Sequence, residues 1–223
     1  MLCSCSRVRS AMVLLSLGIV QILATLPTPP AFDEPPTLRS PVYLTLDSVV
    51  MEDPRPFGYN YQWYTRAYGT EEPSPVYAPS IPGPTIRVRP GEQLVMRVRN
   101  NLGANFEQHS FSDPCTDQFC DVNTTNLHTH GLHVSPRCEE GEDCQDDIFV
   151  HILPGGEQLY NFSLPANHMA GTHWYHPHNH HSTASQAGGG AHGMLIVDDP
   201  FGSLPEQYAR MAEKQLVITC IDL

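Results

Sequence analysis

The amino-acid sequence predicts an all-β protein, built as a Greek-key sandwich or barrel. Short stretches in which apolar and polar residues alternate recur along the chain, and turns rich in proline and glycine separate them. The chain has 21 prolines among 223 residues, a composition that suits a β protein with many loops better than a helical protein. Only residues 205–214 have a composition compatible with a helix. We therefore expect one β-sandwich domain over residues 41–200.

The predicted strands follow one another with little helix between them. The clearest pattern belongs to a strand in which Leu94, Met96 and Val98 share one face. Residues 70–84 contain five prolines and predict a loop. Residues 100–147 are long and irregular, and segments of this kind are usually functional or stapled by disulfides. The predicted strands cover residues 41–51, 59–68, 84–89, 94–100, 148–153, 157–164, 172–176 and 194–197.

Both ends of the chain are predicted to lie outside this domain. Residues 1–24 have the pattern of a secretory signal peptide, because a basic start precedes an apolar run shorter than the ~20 residues of a membrane-spanning helix. We therefore expect a secreted protein with no membrane segment after signal cleavage. Residues 25–40 are rich in proline and predict a linker. Residues 201–223 predict a second linker and the first strand of a further domain, or else an edge strand of the same sandwich.

The charge balance narrows the possible partners. The formal net charge is −12, and the chain offers no basic stripe that could meet phosphate groups. Nucleic acid is therefore not expected as a partner. The acidic balance favours solubility and does not identify a substrate.

Four cysteines lie close together in a polar, acidic region. They are Cys115, Cys120, Cys138 and Cys144. In an oxidising compartment this pattern indicates two disulfides, with three possible connectivities. A zinc site with four thiolate ligands is the alternative. Cys220 is left over from this group.

Two His-x-His triplets carry the strongest functional signal. They are formed by His128 and His130 and by His176 and His178. On an extended strand, residues i and i+2 point to the same side, so each pair of imidazoles could reach one metal ion or two neighbouring ones. Neutral imidazole suits zinc, copper, iron and nickel, and the scarcity of carboxylates near these histidines favours copper. The isolated His109, His151 and His168 are expected to have no ligand role.

A zinc-dependent hydrolase is a competing interpretation of the first triplet. His128, His130 and His133 have the spacing of the metallo-β-lactamase pattern. That pattern requires an aspartate directly before its last histidine, whereas Leu132 stands there. It also belongs to an α/β fold, which the all-β pattern does not support.

Around the triplets the chain resembles the N-terminal cupredoxin, or plastocyanin-like, domain of multicopper oxidases, the family of the laccases. Residues Leu127–Gly131 are similar to the first copper motif of the family, and Gly171–His178 to the second. Two further segments, Pro82–Ile86 and Gly193–Asp198, also fit the domain. The resemblance covers residues 41–200 and implies a cupredoxin-like fold.

The resemblance also implies a copper site and a role for each ligand. His128 corresponds to the family's ligand of the type 2 copper, and His130, His176 and His178 correspond to ligands of the type 3 pair. In the family the other half of this trinuclear cluster comes from another domain, a small-molecule reductant supplies electrons, and O₂ becomes water. Two positions depart from the family pattern, Thr129 where many members have tryptophan and His181 where glycine often follows.

The sequence shows no match to the family's type 1 copper motif, a cysteine flanked by histidines, since Cys220 has no histidine beside it. The resemblance therefore implies that partner domains, C-terminal cupredoxin domains or another chain, complete the enzyme. A stand-alone copper-binding module without catalysis is the alternative. A β-sandwich for recognition, stapled by disulfides, is a third interpretation, in which the histidines bind no metal.

Overall fold

Ten strands form two mixed β-sheets in the computed structural model, which describes residues 36–54, 60–105, 121–138 and 144–221. The strands are β1 (Thr37–Arg39), β2 (Val42–Pro54), β3 (Asn60–Thr70), β4 (Tyr77–Ser80), β5 (Gly83–Val88), β6 (Gln93–Asn100), β7 (His128–His130), β8 (Glu157–Ser163), β9 (Gly171–His176) and β10 (Gly193–Val197). The first sheet, which we call the histidine sheet, has the order β1-β5-β10-β9-β7, and the second sheet has the order β4-β3-β2-β6-β8. Strand β5 runs parallel to β1 and β10, whereas β9 is antiparallel to β10 and β7.

The core lies between the two sheets and follows the alternation of each strand. On β6, every second side chain is fully buried against the opposite sheet, and in the first part of β2 the same is true of Val42, Leu44 and Leu46. The ring centroids of Tyr68, from the second sheet, and Tyr175, from the histidine sheet, lie 5.2 Å apart at the centre of this layer. Burial of this apolar surface drives the two sheets together. The all-β, cupredoxin-like sandwich expected from the sequence is therefore confirmed.

Two short strands occur where the sequence predicts none. Residues 25–40 were expected to be a linker, but β1 pairs in parallel with β5 and buries Leu38 in the core. Residues 70–84 were expected to be a loop, but they contain β4 and the start of β5. The prolines mislead in the first case because Pro36 and Pro41 flank the strand and leave its own N–H groups available for pairing.

Elsewhere the sequence predicts more regular structure than the chain forms. The strand predicted over residues 148–153 is reduced to a single bridge between Thr125 and Ile152. The helix predicted over residues 205–214 is one turn, α2 (Glu206–Ala209), and a second turn that was not predicted, α1 (Thr183–Gln186), precedes β10.

The strand predicted within residues 201–223 is not formed in the part of the chain that the structure describes. Residues 212–221 have no regular secondary structure. They are held to β5 through side chains, because Thr85 Oγ1 donates to Gln215 Oε1 over 2.7 Å and Arg87 pairs with Glu213. Whether residues 201–223 lead into a second domain stays a prediction.

One of the expected disulfides is confirmed, and it joins Cys138 to Cys144. This pairing removes two of the four thiolates that the alternative zinc site requires. Cys115 and Cys120 lie outside the described residues, as does the predicted signal peptide of residues 1–24. Within the described ranges, none of the helices has the length and apolar character needed to cross a membrane.

An ion-pair network joins β1, β5 and the end of β10, and it should make stability depend on acid pH. Asp198 accepts from Arg39 over 2.6 Å and from Arg87 over 2.7 Å. Burial alone would raise the pKa of Asp198, but the hydrogen bonds and charges of the two arginines outweigh it and lower that pKa. A lowered folded-state pKa gives a stability contribution that is complete above the unfolded-state value of about 3.9 and is lost as the pH falls through the folded-state value.

We therefore expect Asp198→Asn to lower the free energy of unfolding at pH 7 by up to about 1 kcal/mol and to flatten the fall in stability below pH ~4. Urea denaturation at a series of pH values measures both effects. Asp199→Asn, at the exposed neighbouring position, is the matched control, and its stability should fall with decreasing pH as in the wild type. Identical acid limbs in the two variants would contradict the assignment.

Candidate metal centre

The pairing of β7 with β9 brings the two His-x-His triplets together. In this antiparallel register His128 lies opposite His176, and His130 lies opposite Trp174. Side chains at alternate positions share a face, so the three histidines and Trp174 all point to the outer side of the histidine sheet. Thr129, between the first two histidines, is buried.

All four histidines predicted as ligands meet at one place. The ring centroid of His128 lies 5.6 Å from that of His130, 5.2 Å from that of His176 and 5.1 Å from that of His178. Ring nitrogens of His128, His130 and His176 all lie within 4.8 Å of one another. His178 borders this group, with its centroid 5.9 Å from that of His176.

His176 presents an unsatisfied acceptor at the centre of the group. The carbonyl oxygen of Pro177 lies 2.9 Å from Nδ1 of His176. A carbonyl can only accept, so Nδ1 carries the proton and Nε2 carries a lone pair. Nε2 is buried and has no hydrogen-bond partner. An orphaned polar atom of this kind is costly unless something outside the protein binds it.

The electrostatic environment keeps His176 neutral. The pKa of His176 is lowered to about 4, chiefly by burial and also by the neighbouring His128, His178 and His130. The hydrogen bond to Pro177 opposes this change. At neutral pH the ring is therefore unprotonated at Nε2, which is the form that binds metals.

Asp146 lies behind His128 and was not identified from the sequence. One carboxylate oxygen accepts the backbone N–H of Thr129 over 2.8 Å, and the other lies 3.0 Å from Nδ1 of His128. The second approach lies off the N–H direction and is an electrostatic contact, not a hydrogen bond. A carboxylate against one nitrogen orients an imidazole and leaves the other nitrogen to a ligand.

Trp174 stacks on the histidines and was also not assigned a role from the sequence. Its ring lies 4.0 Å from that of His176, at an angle of 25°, and 5.3 Å from that of His130. The side chain is 41% exposed. It therefore restricts both imidazoles while leaving the outer side of the group open.

A buried amide fixes the backbone at the end of β9. Asn126 is fully buried, and its Oδ1 accepts the N–H of His178 over 2.6 Å. Its Nδ2 donates to the carbonyls of Ile148 and Val150, 2.7 and 3.2 Å away. Asn126 thus links the segment before β7, the segment before β8 and the second histidine triplet.

We expect Asn126→Ala to destabilise the fold by about 1–3 kcal/mol, because it leaves three partly buried backbone groups without their partner. It should also weaken copper binding through His178, whose backbone it releases. Denaturant unfolding and copper titration measure the two effects. Asn101→Ala removes an exposed amide that binds Asp47 and should change either quantity little, by less than about 0.5 kcal/mol in stability. Equal losses from both substitutions would contradict this role.

His168 and His151, which were expected to have no ligand role, contact other groups through their rings. His168 accepts the N–H of His133 at Nε2, and its Nδ1 lies 2.8 Å from the carbonyl of Met169, so both nitrogens are used. Nδ1 of His151 lies 2.6 Å from Oδ1 of Asn179. His109 lies outside the described residues. The zinc-hydrolase interpretation is wrong about the fold, since it requires an α/β sandwich and the observed fold is all-β.

Comparison with known proteins shows which family the chain resembles around the two triplets. A family model described as "Multicopper oxidase" matches residues 120–201, which include both histidine triplets. The chain is 32% identical over 124 residues to the multicopper oxidase MmcO of Mycobacterium tuberculosis, an alignment that covers 56% of this chain and 19% of that protein. It is 27% identical over 192 residues to the iron transport multicopper oxidase FET3 of Gibberella zeae, covering 83% of this chain and 25% of that protein.

Among solved structures, the chain is similar to a multi-copper oxidase from Pediococcus acidilactici, with a TM-score of 0.49 and 21% identity. That match covers 81% of this chain and 31% of the other. The chain thus spans about a fifth to a quarter of the length of the curated relatives named above.

Proposed function

Because the chain belongs to the multicopper oxidase family, we propose that it supplies half of a trinuclear copper cluster in a secreted oxidase. In that enzyme, oxidation of a small-molecule reductant is coupled to reduction of O₂ to water. The other half of the cluster comes from further cupredoxin domains or from another chain. Secretion follows from the predicted signal peptide at residues 1–24.

The four clustered histidines have distinct roles in this proposal. His128 holds the type 2 copper, and His130, His176 and His178 hold the type 3 pair. Bound copper supplies the electron transfer and the O₂ chemistry, for which amino-acid side chains alone are unsuited. The chain itself provides neutral nitrogen ligands and keeps them in position.

The single observation that carries the proposal is the buried, unpartnered Nε2 of His176 beside two further ring nitrogens. The donor set also fits the metal, since three imidazoles without a carboxylate among them favour copper over calcium, magnesium or manganese. The residues present therefore fit a copper site.

The groups around the four histidines hold them in position before copper binds. The carbonyl of Pro177 sets the tautomer of His176, and the carboxylate of Asp146 orients His128. Trp174 covers one face of the His176 ring and excludes water from it. Asn126 fixes the backbone of His178. Preorganised ligands bind metal without a further ordering cost.

Titration of the purified chain with copper tests the proposal. We expect bound Cu(II) whose electron paramagnetic resonance spectrum shows coupling to imidazole nitrogen, and no O₂ consumption by the chain alone. A chain that binds no copper at His128, His130, His176 and His178 would overturn the proposal and favour the recognition sandwich.

A second measurement distinguishes the proposed oxidase from the alternative, a stand-alone copper-binding module without catalysis. Sequencing of the messenger RNA beyond codon 223 should reveal a continuing reading frame that encodes a cysteine flanked by histidines. A stop codon directly after codon 223, in a chain that binds copper, would instead support the module without catalysis.

A further inference from the structure

A second pair of histidines, His180 and His181, follows the predicted ligands on the surface. Both side chains are exposed. Nδ1 of His180 lies 2.9 Å from Nε2 of His181, and the ring centroids are 4.1 Å apart at an angle of 77°. The family resemblance gives neither residue a ligand role, and the four-histidine group does not include them.

The backbone adopts an unfavourable conformation at this pair. His181 has a φ of 73°, in the left-handed region. For a residue with a Cβ this conformation costs roughly 1–2 kcal/mol, and glycine adopts it freely. Such a residue persists only where the surrounding structure holds it in place.

Asn179 and its hydrogen bonds hold the turn on both sides of the pair. Asn179 is 1% exposed, and its Nδ2 donates to the carbonyl of His180 over 2.9 Å and to Oγ of Ser182 over 3.1 Å. Its own carbonyl accepts the N–H groups of Ser182 and Thr183 over 3.2 and 3.1 Å. The two imidazoles are therefore presented from a fixed backbone.

The distance between the two nitrogens suits one metal ion. With metal–nitrogen bonds of about 2.0–2.1 Å, nitrogens 2.9 Å apart subtend an angle of about 90° at the metal. This is the angle between neighbouring ligands in the tetragonal geometry of Cu(II), and it is smaller than the tetrahedral angle that zinc prefers. Without metal, one of these nitrogens carries a proton and donates it in a hydrogen bond to the other. A metal ion would take the place of that proton, which moves to the other nitrogen of its own ring.

We propose that His180 and His181 form a second copper site. Their two ring nitrogens occupy neighbouring coordination positions of one Cu(II) ion, and water occupies the other positions. Cu(II) is the divalent first-row ion that nitrogen ligands bind most strongly. Because both rings are exposed, the ion exchanges with solvent. The site depends only on this pair and does not require the four-histidine cluster to work as proposed above.

Substitution by glycine tests the site without disturbing the fold. His181→Gly removes one ligand and relieves the left-handed strain, so the variant should fold at least as stably as the wild type. Calorimetric titration of the full chain with Cu(II), followed by electron paramagnetic resonance, counts the bound ions. We expect His181→Gly to lose one copper equivalent, and His180→Ala to lose the same one.

Two control variants make the result decisive. His133→Ala removes another exposed histidine and should keep the full copper count. His176→Ala combined with His178→Ala should lose copper from the four-histidine group yet retain the ion at His180 and His181, which separates failure of this proposal from failure of the proposed function. An unchanged copper count in His181→Gly, or an equal loss in His133→Ala, would overturn the second site.

Discussion

Replacement of His176 and His178 together by alanine is expected to abolish most copper binding at the outer face of the histidine sheet. His176 contributes the only one of the four predicted ligands that is almost fully buried, with 5% of its surface exposed and Nε2 unpartnered. His178 lies at the edge of the same group, 5.1 Å from His128 between ring centroids. With both rings gone, His128 and His130 remain as a pair without the buried nitrogen between them.

Copper titration followed by electron paramagnetic resonance measures this loss. We expect affinity at the cluster to fall by at least about 100-fold, because loss of even a supporting residue around a metal typically costs 10–100-fold. Removal of the orphaned Nε2 should not destabilise the fold through a lost hydrogen bond at that atom, since it has none to lose. Circular dichroism and urea denaturation check that the variant is folded.

His192→Ala is the matched control for this pair. His192 is also partly buried, lies directly before β10 and approaches Trp174 to within 6.4 Å between ring centroids, yet it is outside the four-histidine group. The substitution should leave copper binding at the cluster nearly unchanged. If His192→Ala weakened binding as much as the double substitution, the assignment of ligands would be wrong.

The strands with strong alternation were predictable because their pattern is local. Leu94, Met96 and Val98 already define one face in the sequence, and the same face is buried in β6. Strand β1 has three residues, too few for a pattern, and it exists only because β5 lies beside it. The opposite error occurred at Ile148–Leu153, where β-branched residues suggested a strand but only Ile152 finds a partner.

The end of the described chain shows how an apolar run led to the prediction of a strand that does not form. From Gln215 to Ile221, partly buried and exposed residues alternate, as they would in a strand with one face against the protein. A strand also requires a backbone partner, and side chains instead connect this segment to β5, as in the contact between Thr85 and Gln215. Periodicity reports which side chains face the protein and says nothing about what the backbone pairs with.

The residues of the site also differ in whether a local sequence pattern or only the folded structure reveals them. The two His-x-His triplets were visible in the sequence because their geometry depends on residues two apart. Asp146 and Asn126 were missed because each reaches the site only after folding, through contacts with Thr129 and His178. A single buried carboxylate or amide has no local pattern that would identify it.

Gly193→Ala is expected to cause the largest loss of stability among the substitutions considered. Gly193 pairs with Tyr175 across β10 and β9, and a Cβ at Gly193 would lie 2.2 Å from the hydroxyl oxygen and 2.3–2.4 Å from ring carbons of Tyr175. The Tyr175 ring cannot move outward, because it is fully buried and packs 5.2 Å from the ring of Tyr68 between centroids. The two strands would have to separate, or the ring would have to leave its rotamer.

Either response also breaks a buried hydrogen bond, since the Tyr175 hydroxyl donates to the carbonyl of Pro84 over 2.7 Å. Overpacking costs about 1–3 kcal/mol and an unsatisfied buried polar group about 1–3 kcal/mol, so we expect a loss of about 2–6 kcal/mol in the free energy of unfolding. Because Tyr175 lies between Trp174 and His176 on β9, copper binding should weaken along with stability.

Gly103→Ala makes the same chemical change where nothing lies within 4 Å of the added Cβ. It should alter the free energy of unfolding by less than about 0.5 kcal/mol, or raise it slightly by restricting the unfolded chain. Urea denaturation midpoints of the two variants provide the comparison. Similar midpoints would mean that β9 can shift without cost, and the position of His176 would then not depend on the close contact between Gly193 and Tyr175.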